Sequence, residues 1–454
     1  MFHPNRAPAK AGAQIGRWNW APAFAGARHA LLALIISMLI PTPSRAAPDP
    51  APIYQSRAQQ LLGILTTPGG EGDFFSTLFL DAVPVDRWRA IAADLRRQHG
   101  APLALGAVRT ESVTAGQVEI RYERATVGFT MVVAPQAPNL VVGLHIVGAR
   151  TANDSLDRVM ADIAALPGAA AFAIARLDDG APQMIRTHRA ETQMAIGSSF
   201  KLYILAELAR AVRAHDRRWG DVVPLGPKSF SGRLKDWPDG APMTLQSLAT
   251  AMIAESDNSA SDTLMRAVGR DRVDAMLTAT GHADPDRALP LLSTAEAFAL
   301  KMPANADLRQ RYVAAGPAAR RDLLRAAATR LTGDRVDVGS VAEVPTASDR
   351  IEWFAAPRDV IALLDRLRRQ GGDALPILAV NPGIAPADAR RWRYLGYKGG
   401  SEPGVMAMNF LGRAQDGHWY AICASWNNPA ARLDEGRFVA LMTRALNLIA
   451  APQP

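Results

Sequence analysis

Ser198, Lys201, Ser256, Asp257, Asn258 and Lys398 are the residues of this 454-residue chain whose types and spacing could do covalent chemistry. Ser198-Ser199-Phe200-Lys201 is the only S-x-x-K in the sequence, and Ser256-Asp257-Asn258 and Lys398-Gly399-Gly400 follow it in that order. Lys201 and Lys398 are two of just six lysines among 51 basic residues. An amine gives up its proton when its surroundings depress its pKa, whereas a guanidinium effectively never does, so a lysine kept in an arginine-rich chain suggests proton transfer. A serine hydroxyl becomes a strong nucleophile only when a base takes its proton, and a desolvated lysine beside a second cation can be that base.

The spacing predicts how the groups are held. Ser198 and Lys201 stand three apart at the start of an apolar run, Phe200 to Val212, that reads as a buried helix. Positions i and i+3 share a helical face, so the amine should reach the hydroxyl. A helix start also aims free backbone N–H groups and the positive dipole end at a reacting carbonyl. Ser256-Asp257-Asn258 lies between two helical patterns, Leu245 to Glu255 and Ser261 to Val268, and taken alone also reads as an Asx turn capping the second. Lys398 ends a strand-like approach, Arg393 to Tyr397; Gly399-Gly400 either clears a strand edge for a substrate or makes a hairpin turn.

Together the three segments resemble the S-x-x-K, S-D-N and K-T-G (or K-G-G) motifs of the serine β-lactamase and penicillin-binding protein superfamily, class A-like in spacing. The resemblance covers about residues 151 to 454. It implies that Ser198 is the nucleophile, Lys201 its general base, and Ser256 and Lys398 a proton relay. It further implies that Asn258, Gly399, Gly400 and Ser401 bind substrate, with the N–H groups of Ser198 and Ser401 holding the acyl oxygen. The implied activity is an active-site-serine hydrolase acting through an acyl-enzyme on a small molecule, whether a β-lactam, a peptide or an ester. The alternatives are an esterase or D,D-peptidase, and a non-catalytic penicillin-binding sensor.

The sequence departs from that pattern in places. Gly399 lacks the hydroxyl usually offered to a substrate carboxylate unless Ser401 replaces it, and Glu402-Pro403 should interrupt the strand edge. No E-x-x-L-N segment of an omega loop follows the S-D-N turn, and only His282 to Leu292 separate Gly281 from Ser293. Glu296 reads as the glutamate of a capping box, Ser293-Thr294-Ala295-Glu296, rather than as a deacylation base. Extra length within Gly333 to Arg390 suggests a lid or wall.

Around these motifs the fold implied is α+β: a β-lactamase-like αβα sandwich with a five-stranded antiparallel sheet and a helical subdomain. The strands are expected at Ala170 to Leu177, Gln183 to Arg189, Arg393 to Tyr397, Val405 to Gly412 and His418 to Trp426, with a terminal helix near Leu433 to Ile449. A smaller α+β module of cystatin or NTF2-like type, residues 53–150, should precede the domain at 151–454. It should contain helices at Tyr54 to Leu65, Asp73 to Leu80 and Asp86 to Gln98, then four strands. His145 within one of them reads as a core histidine.

Residues 1–46 read as a signal peptide. Arg28 and His29 precede an apolar run, Ala30 to Ile40, and the small-x-small site Ser44-Arg45-Ala46. The run is too short for a stable membrane span, and a periplasmic or secreted protein is expected. Removing this segment lowers the net charge from +8 to +3, so nothing calls for nucleic acid. The single cysteine, Cys423, forms no internal disulfide and reads as a small buried residue. No H-E-x-x-H, close histidine pair or cysteine cluster points to a metal, and no cofactor is expected.

Overall fold

In a computed structural model, residues 52–151 and 153–450 are described; the expected signal peptide lies outside them. They divide into two compact units, one spanning 163–442 and the other 52–162 with 443–450.

In the first of these along the chain, four helices, Pro52–Thr66, Glu71–Phe74, Thr77–Ala82 and Val85–His99, precede strands Pro102–Thr110, Ala115–Tyr122, Ala125–Val133 and Val141–Thr151 in a sequential antiparallel sheet. The helix expected over Asp73 to Leu80 is broken at Phe75, whose extended backbone bridges Val141. Ser76 then restarts the helix as an N-cap, accepting from Phe79 N at 3.2 Å. Phe74, Phe75, Trp88, Val118, Ile120, Val127 and Phe129 make this unit's core. His145 is exposed, not a core residue; on a sheet whose far side meets solvent, alternation sends it outward.

The second unit is organised by a sheet of five antiparallel strands in the order β3-β4-β5-β1-β2: β1 Ala169–Leu177, β2 Gln183–His188, β3 Tyr394–Glu402, β4 Val405–Arg413 and β5 Trp419–Asn427. Strands β1, β4 and β5 are buried along almost their whole length. Both faces are covered, which is why they are nearly continuous apolar runs rather than alternating ones. One face, with Ala173, Ala407 and Cys423, joins a large core with α1 (Lys201–Arg213), α2 (Leu245–Ala254), α3 (Asn258–Val268), α4 (Thr294–Lys301) and α5 (Pro357–Gln370). The opposite face carries Trp426, whose ring lies 5.9 Å from Phe438 in α7 (Glu435–Ala450). Cys423 is fully buried.

Two expectations change. Strand β3 is not interrupted at Glu402-Pro403: it pairs with β4 through to Glu402 opposite Val405, and Pro403-Gly404 make the tight turn. Gly404 has φ +79°, open to glycine at no steric cost. Within the Gly333 to Arg390 insertion, α5 packs into the core, and α6 (Ala374–Ala379) leads to Asn381 in the wall of the motif cleft. The insertion therefore supplies core and wall.

Candidate active site

Ser198 lies in a 3-10 turn, Gly197–Phe200, that feeds α1. Asn427 holds the preceding strand segment as a backbone mimic: its Oδ1 accepts from Ala195 N at 2.8 Å and its Nδ2 donates to Ala195 O at 2.9 Å. Ile196 N donates to Trp353 O at 2.9 Å, and the Trp353 ring stacks on Phe200 with centroids 4.0 Å apart. The nucleophile's turn is thus fixed from both sides, while Ser198 itself remains partly exposed.

Lys201 is fully buried and directs its amine across to the Ser256–Asn258 turn. It donates to Ser256 O at 2.7 Å, Asn258 Oδ1 at 2.6 Å and Ser256 Oγ at 3.3 Å. The direct Ser198–Lys201 bond expected from helical spacing is replaced by these, because the carbonyl and amide oxygens of the turn are strong acceptors for a desolvated amine. Burial pulls the Lys201 pKa down to about 7, opposed by Asp257 and Asp262. Lys398, also buried, donates to Ser256 Oγ at 3.0 Å and Gly399 O at 2.5 Å. Its pKa falls well below the ordinary lysine value through burial and then through Lys201's charge. Ser256 Oγ therefore stands between both amines.

The turn that presents Ser256 is strained and heavily braced. Ser256 has φ +56°, a left-handed conformation rare outside glycine and asparagine. Asp257 caps α3, accepting from Ala260 N at 2.8 Å, and also accepts from Leu234 N at 2.8 Å. Gly232 passes so close to Asp257 that a Cβ there would sit 2.6 Å from the carboxyl carbon. Asn258 has both ends engaged: Oδ1 with Lys201 and Nδ2 with Ser231 Oγ at 2.7 Å. Its geometry orients the lysine, and Nδ2 keeps a second N–H beyond the one given to Ser231.

Gly400 faces the nucleophile's turn. A Cβ on it would overlap Ile196 O and Ser198 N and come within 2.7 Å of Gly197 C. Conversely a Cβ on Gly197 would lie 3.1 Å from Ser401 N. The backbones carrying the Ser198 and Ser401 N–H groups therefore abut, as paired oxyanion donors require. Asn409 on β4 ties the halves together, donating to Ser199 Oγ at 2.8 Å and Lys398 O at 3.2 Å.

Ser198, Ser256, Lys398, Gly399, Gly400 and Ser401 line one cleft with Asn381, Tyr397 and Glu435. It is narrow, about 40 Å³. A far larger cavity of about 1010 Å³ lies in the helical region, lined by Phe230, Met265, Arg266 and Leu331 among others. None of the motif serines or lysines reaches it, so volume alone does not mark the chemistry. Glu296 is held in the capping box, its Oε2 accepting from Ser293 N at 2.8 Å and Arg270 Nη2 at 2.6 Å.

Sequence reasoning missed Ser231, Asn409, Tyr397 and Glu435. Only Tyr397 had a local signal, its place directly before Lys398; the others reach the site through sheet register and loop crossings.

Residues 152–371 match the model described as the Beta-lactamase enzyme family. Among solved structures, the β-lactamase from Sphaerobacter thermophilus is 20% identical, with 66% of this chain and 100% of that chain covered and a TM-score of 0.46. The β-lactamase from Chitinophaga pinensis is 16% identical over 65% of this chain and 97% of that chain, at 0.44. The structure titled PBP-A is 13% identical over 65% and 93%, at 0.43. No curated protein matches the sequence.

Proposed function

We propose, from the premise that this chain belongs to the serine β-lactamase and penicillin-binding protein superfamily, that it is an exported hydrolase forming an acyl-enzyme at Ser198. The observation that carries the reading is Ser256 Oγ set 3.3 Å from Lys201 Nζ and 3.0 Å from Lys398 Nζ, beside a half-open serine. Lys201, with a pKa near 7, is partly neutral at physiological pH and takes the Ser198 proton as Oγ attacks the carbonyl. The N–H groups of Ser198 and Ser401 receive the developing oxyanion. Ser256 gives its proton to the leaving group and is reprotonated from the lysine pair. Water then attacks the ester carbonyl, its proton leaves through the same groups, and Ser198 Oγ departs protonated.

The substrate is a β-lactam or a related activated carbonyl compound. An esterase, a D,D-peptidase or a penicillin-binding sensor that acylates and stops is favoured by one observation: Glu296 is tied up by Ser293 and Arg270 and is not free to activate water. Residues 1–46 support a periplasmic or secreted location, tested by whether the mature N-terminus begins after Ala46.

The test of function is intact-protein mass spectrometry of wild type and Ser198→Ala after timed exposure to a penicillin and a chromogenic cephalosporin. A transient or lasting adduct that needs Ser198 supports the reading, and its lifetime separates turnover from a sensor or peptidase. Neither adduct nor colour change would remove β-lactams, leaving ester and peptide substrates to be tried.

A further inference from the structure

Two glycines make room for one tyrosine at the edge of the cleft. β3 is an outer strand of its sheet, and alternation puts Tyr397, Gly399 and Ser401 on one face of it. A Cβ built on Gly399 would overlap Tyr397 Oη and lie 2.7 Å from Cζ. The ring therefore runs along the strand, and its hydroxyl stands where a side chain at 399 would begin. A Cβ on Gly383 would overlap Cδ1 of the same ring and lie 2.5 Å from Cγ and Cε1. Gly383 has φ +67°, which favours glycine, and its turn is fixed. Its N–H donates to Asn381 Oδ1 at 3.0 Å, and Asn381 Nδ2 donates to Ala254 O at 2.9 Å. Phe410, opposite Tyr397 on β4, also packs on the ring, with centroids 4.8 Å apart. The phenol is thus held in one place.

That hydroxyl serves nothing within the protein. Tyr397 lines the cleft, and among the described residues its Oη makes no hydrogen bond. Burial and then Glu435 hold its pKa above the usual tyrosine value, so it remains an O–H donor. Its neighbours are donors too. Lys398 gives N–H bonds to Ser256 Oγ and Gly399 O, and as an ammonium it keeps a third N–H. Among the described residues neither Lys201 nor Lys398 makes an ion pair, and the Ser401 hydroxyl, also lining the cleft, makes no hydrogen bond. Glu435 is the one acid lining the cleft, and desolvation raises its pKa, with Arg432 pulling it back. A phenol O–H, a serine O–H and the positive charge of the lysine pair therefore stand around Gly399 without an acceptor. A small planar anion with several lone pairs matches them, and a carboxylate is that group.

We propose that Tyr397 determines specificity: its hydroxyl, reaching over Gly399, donates a hydrogen bond to a substrate carboxylate that lies beside Lys398 on the leaving-group side of the scissile bond. This rests on the acyl-serine reading above and names the residue that selects its substrates. The side chain missing at 399 is replaced from two residues earlier in the strand, and not by Ser401.

The experiment compares two aryl esters of phenylacetic acid, one releasing 3-hydroxybenzoate and the other phenol, on the full mature protein. The quantity read is the ratio of their kcat/KM values, anionic over neutral, in wild type, Tyr397→Phe, Ser401→Ala and Ser198→Ala. Comparing ratios between proteins cancels the intrinsic difference in leaving groups. It also cancels any general damage to the fold or the chemistry, which slows both esters alike. The ratio should fall about tenfold in Tyr397→Phe, as one hydrogen bond to a charged group is worth. Ser198-dependent hydrolysis whose ratio falls by less than about threefold in Tyr397→Phe overturns this inference and leaves the acyl-serine reading standing. A fall in Ser401→Ala with none in Tyr397→Phe does the same and gives the contact to Ser401. Absence of any Ser198-dependent hydrolysis or labelling by an alkyl fluorophosphonate overturns both.

Discussion

Replacing Lys301 by methionine removes the cation from a buried cluster behind the oxyanion strand. Lys301 Nζ lies 2.6 and 2.5 Å from the Glu402 carboxylate oxygens and 3.5 Å from Glu352 Oε2, and all three side chains are buried. Burial and then the charge of Glu402 hold Glu352 well above the ordinary carboxylate range, with Lys301 pulling it back. The cluster at rest is therefore one ion pair and one protonated acid. In Lys301→Met, Glu402 is left buried without its partner, and breaking such a pair costs about 3–5 kcal/mol. At about 2–4 °C per kcal/mol for a domain of this size, the melting temperature should fall by about 6–20 °C in scanning calorimetry. Glu402 follows Ser401 in β3, and Glu352 precedes Trp353, whose carbonyl anchors Ile196. Acylation of Ser198 should then slow together with the loss of stability. The triple variant Lys301→Met, Glu352→Gln, Glu402→Gln removes every formal charge and should recover most of the stability. A single-variant loss below about 1 kcal/mol, or a triple variant no more stable than the single, would refute the assignment of that energy to the ion pair.

Other consequences are equally measurable. Lys201 must be neutral to accept a proton, so the second-order acylation rate should rise with pH through about 7, following the pKa of its buried amine; a flat profile from pH 6 to 8 would count against Lys201 as the base. Ser256→Ala removes the hydroxyl shared by the two amines and should lower acylation by about 10²–10⁴-fold, read by stopped-flow with the chromogenic cephalosporin. Gly400→Ala pushes a methyl group into the nucleophile's turn and should abolish labelling of Ser198 while leaving circular dichroism close to wild type. Ser231→Ala frees Asn258 Nδ2 and should cost about 1–3 kcal/mol in urea denaturation, the penalty for an unpaired buried donor.

How much of this was legible in the sequence depends on the range of the interaction. The strand around Cys423 and the helix after Ser198 announce themselves as long apolar runs, and the three motifs are local patterns readable without the fold. The capping box at Ser293–Glu296 is a local four-residue pattern, and the structure has it. The direction of Lys201's amine is not local: it depends on acceptors at Ser256 and Asn258, and helical spacing alone pointed it at Ser198. The same holds for Glu402, where the residue pair Glu-Pro suggests a break, while pairing across to Val405 and the Lys301 ion pair carry the strand on. The helix near Asp73 failed for a similar reason, since its split is imposed by the bridge from Phe75 to Val141.

The proton inventory around Ser256 explains why the site needs two lysines rather than one. A hydroxyl has one proton and two lone pairs. If both amines were charged, both would donate into Ser256 Oγ and two cations would stand around one hydroxyl, which the burial of Lys201 and Lys398 opposes. If one is neutral, Ser256 can accept from the charged amine and donate either to the neutral one or to a leaving group. The pair then holds one proton fewer than its capacity, and in the proposed reaction it receives the proton of Ser198 and delivers one through Ser256 without bulk solvent. After taking the serine proton, Lys201 has three N–H groups for its three acceptors, Ser256 O, Asn258 Oδ1 and Ser256 Oγ, and keeps all of them. In the proposed reaction the second amine reprotonates Ser256 once the hydroxyl has given its proton to the leaving group.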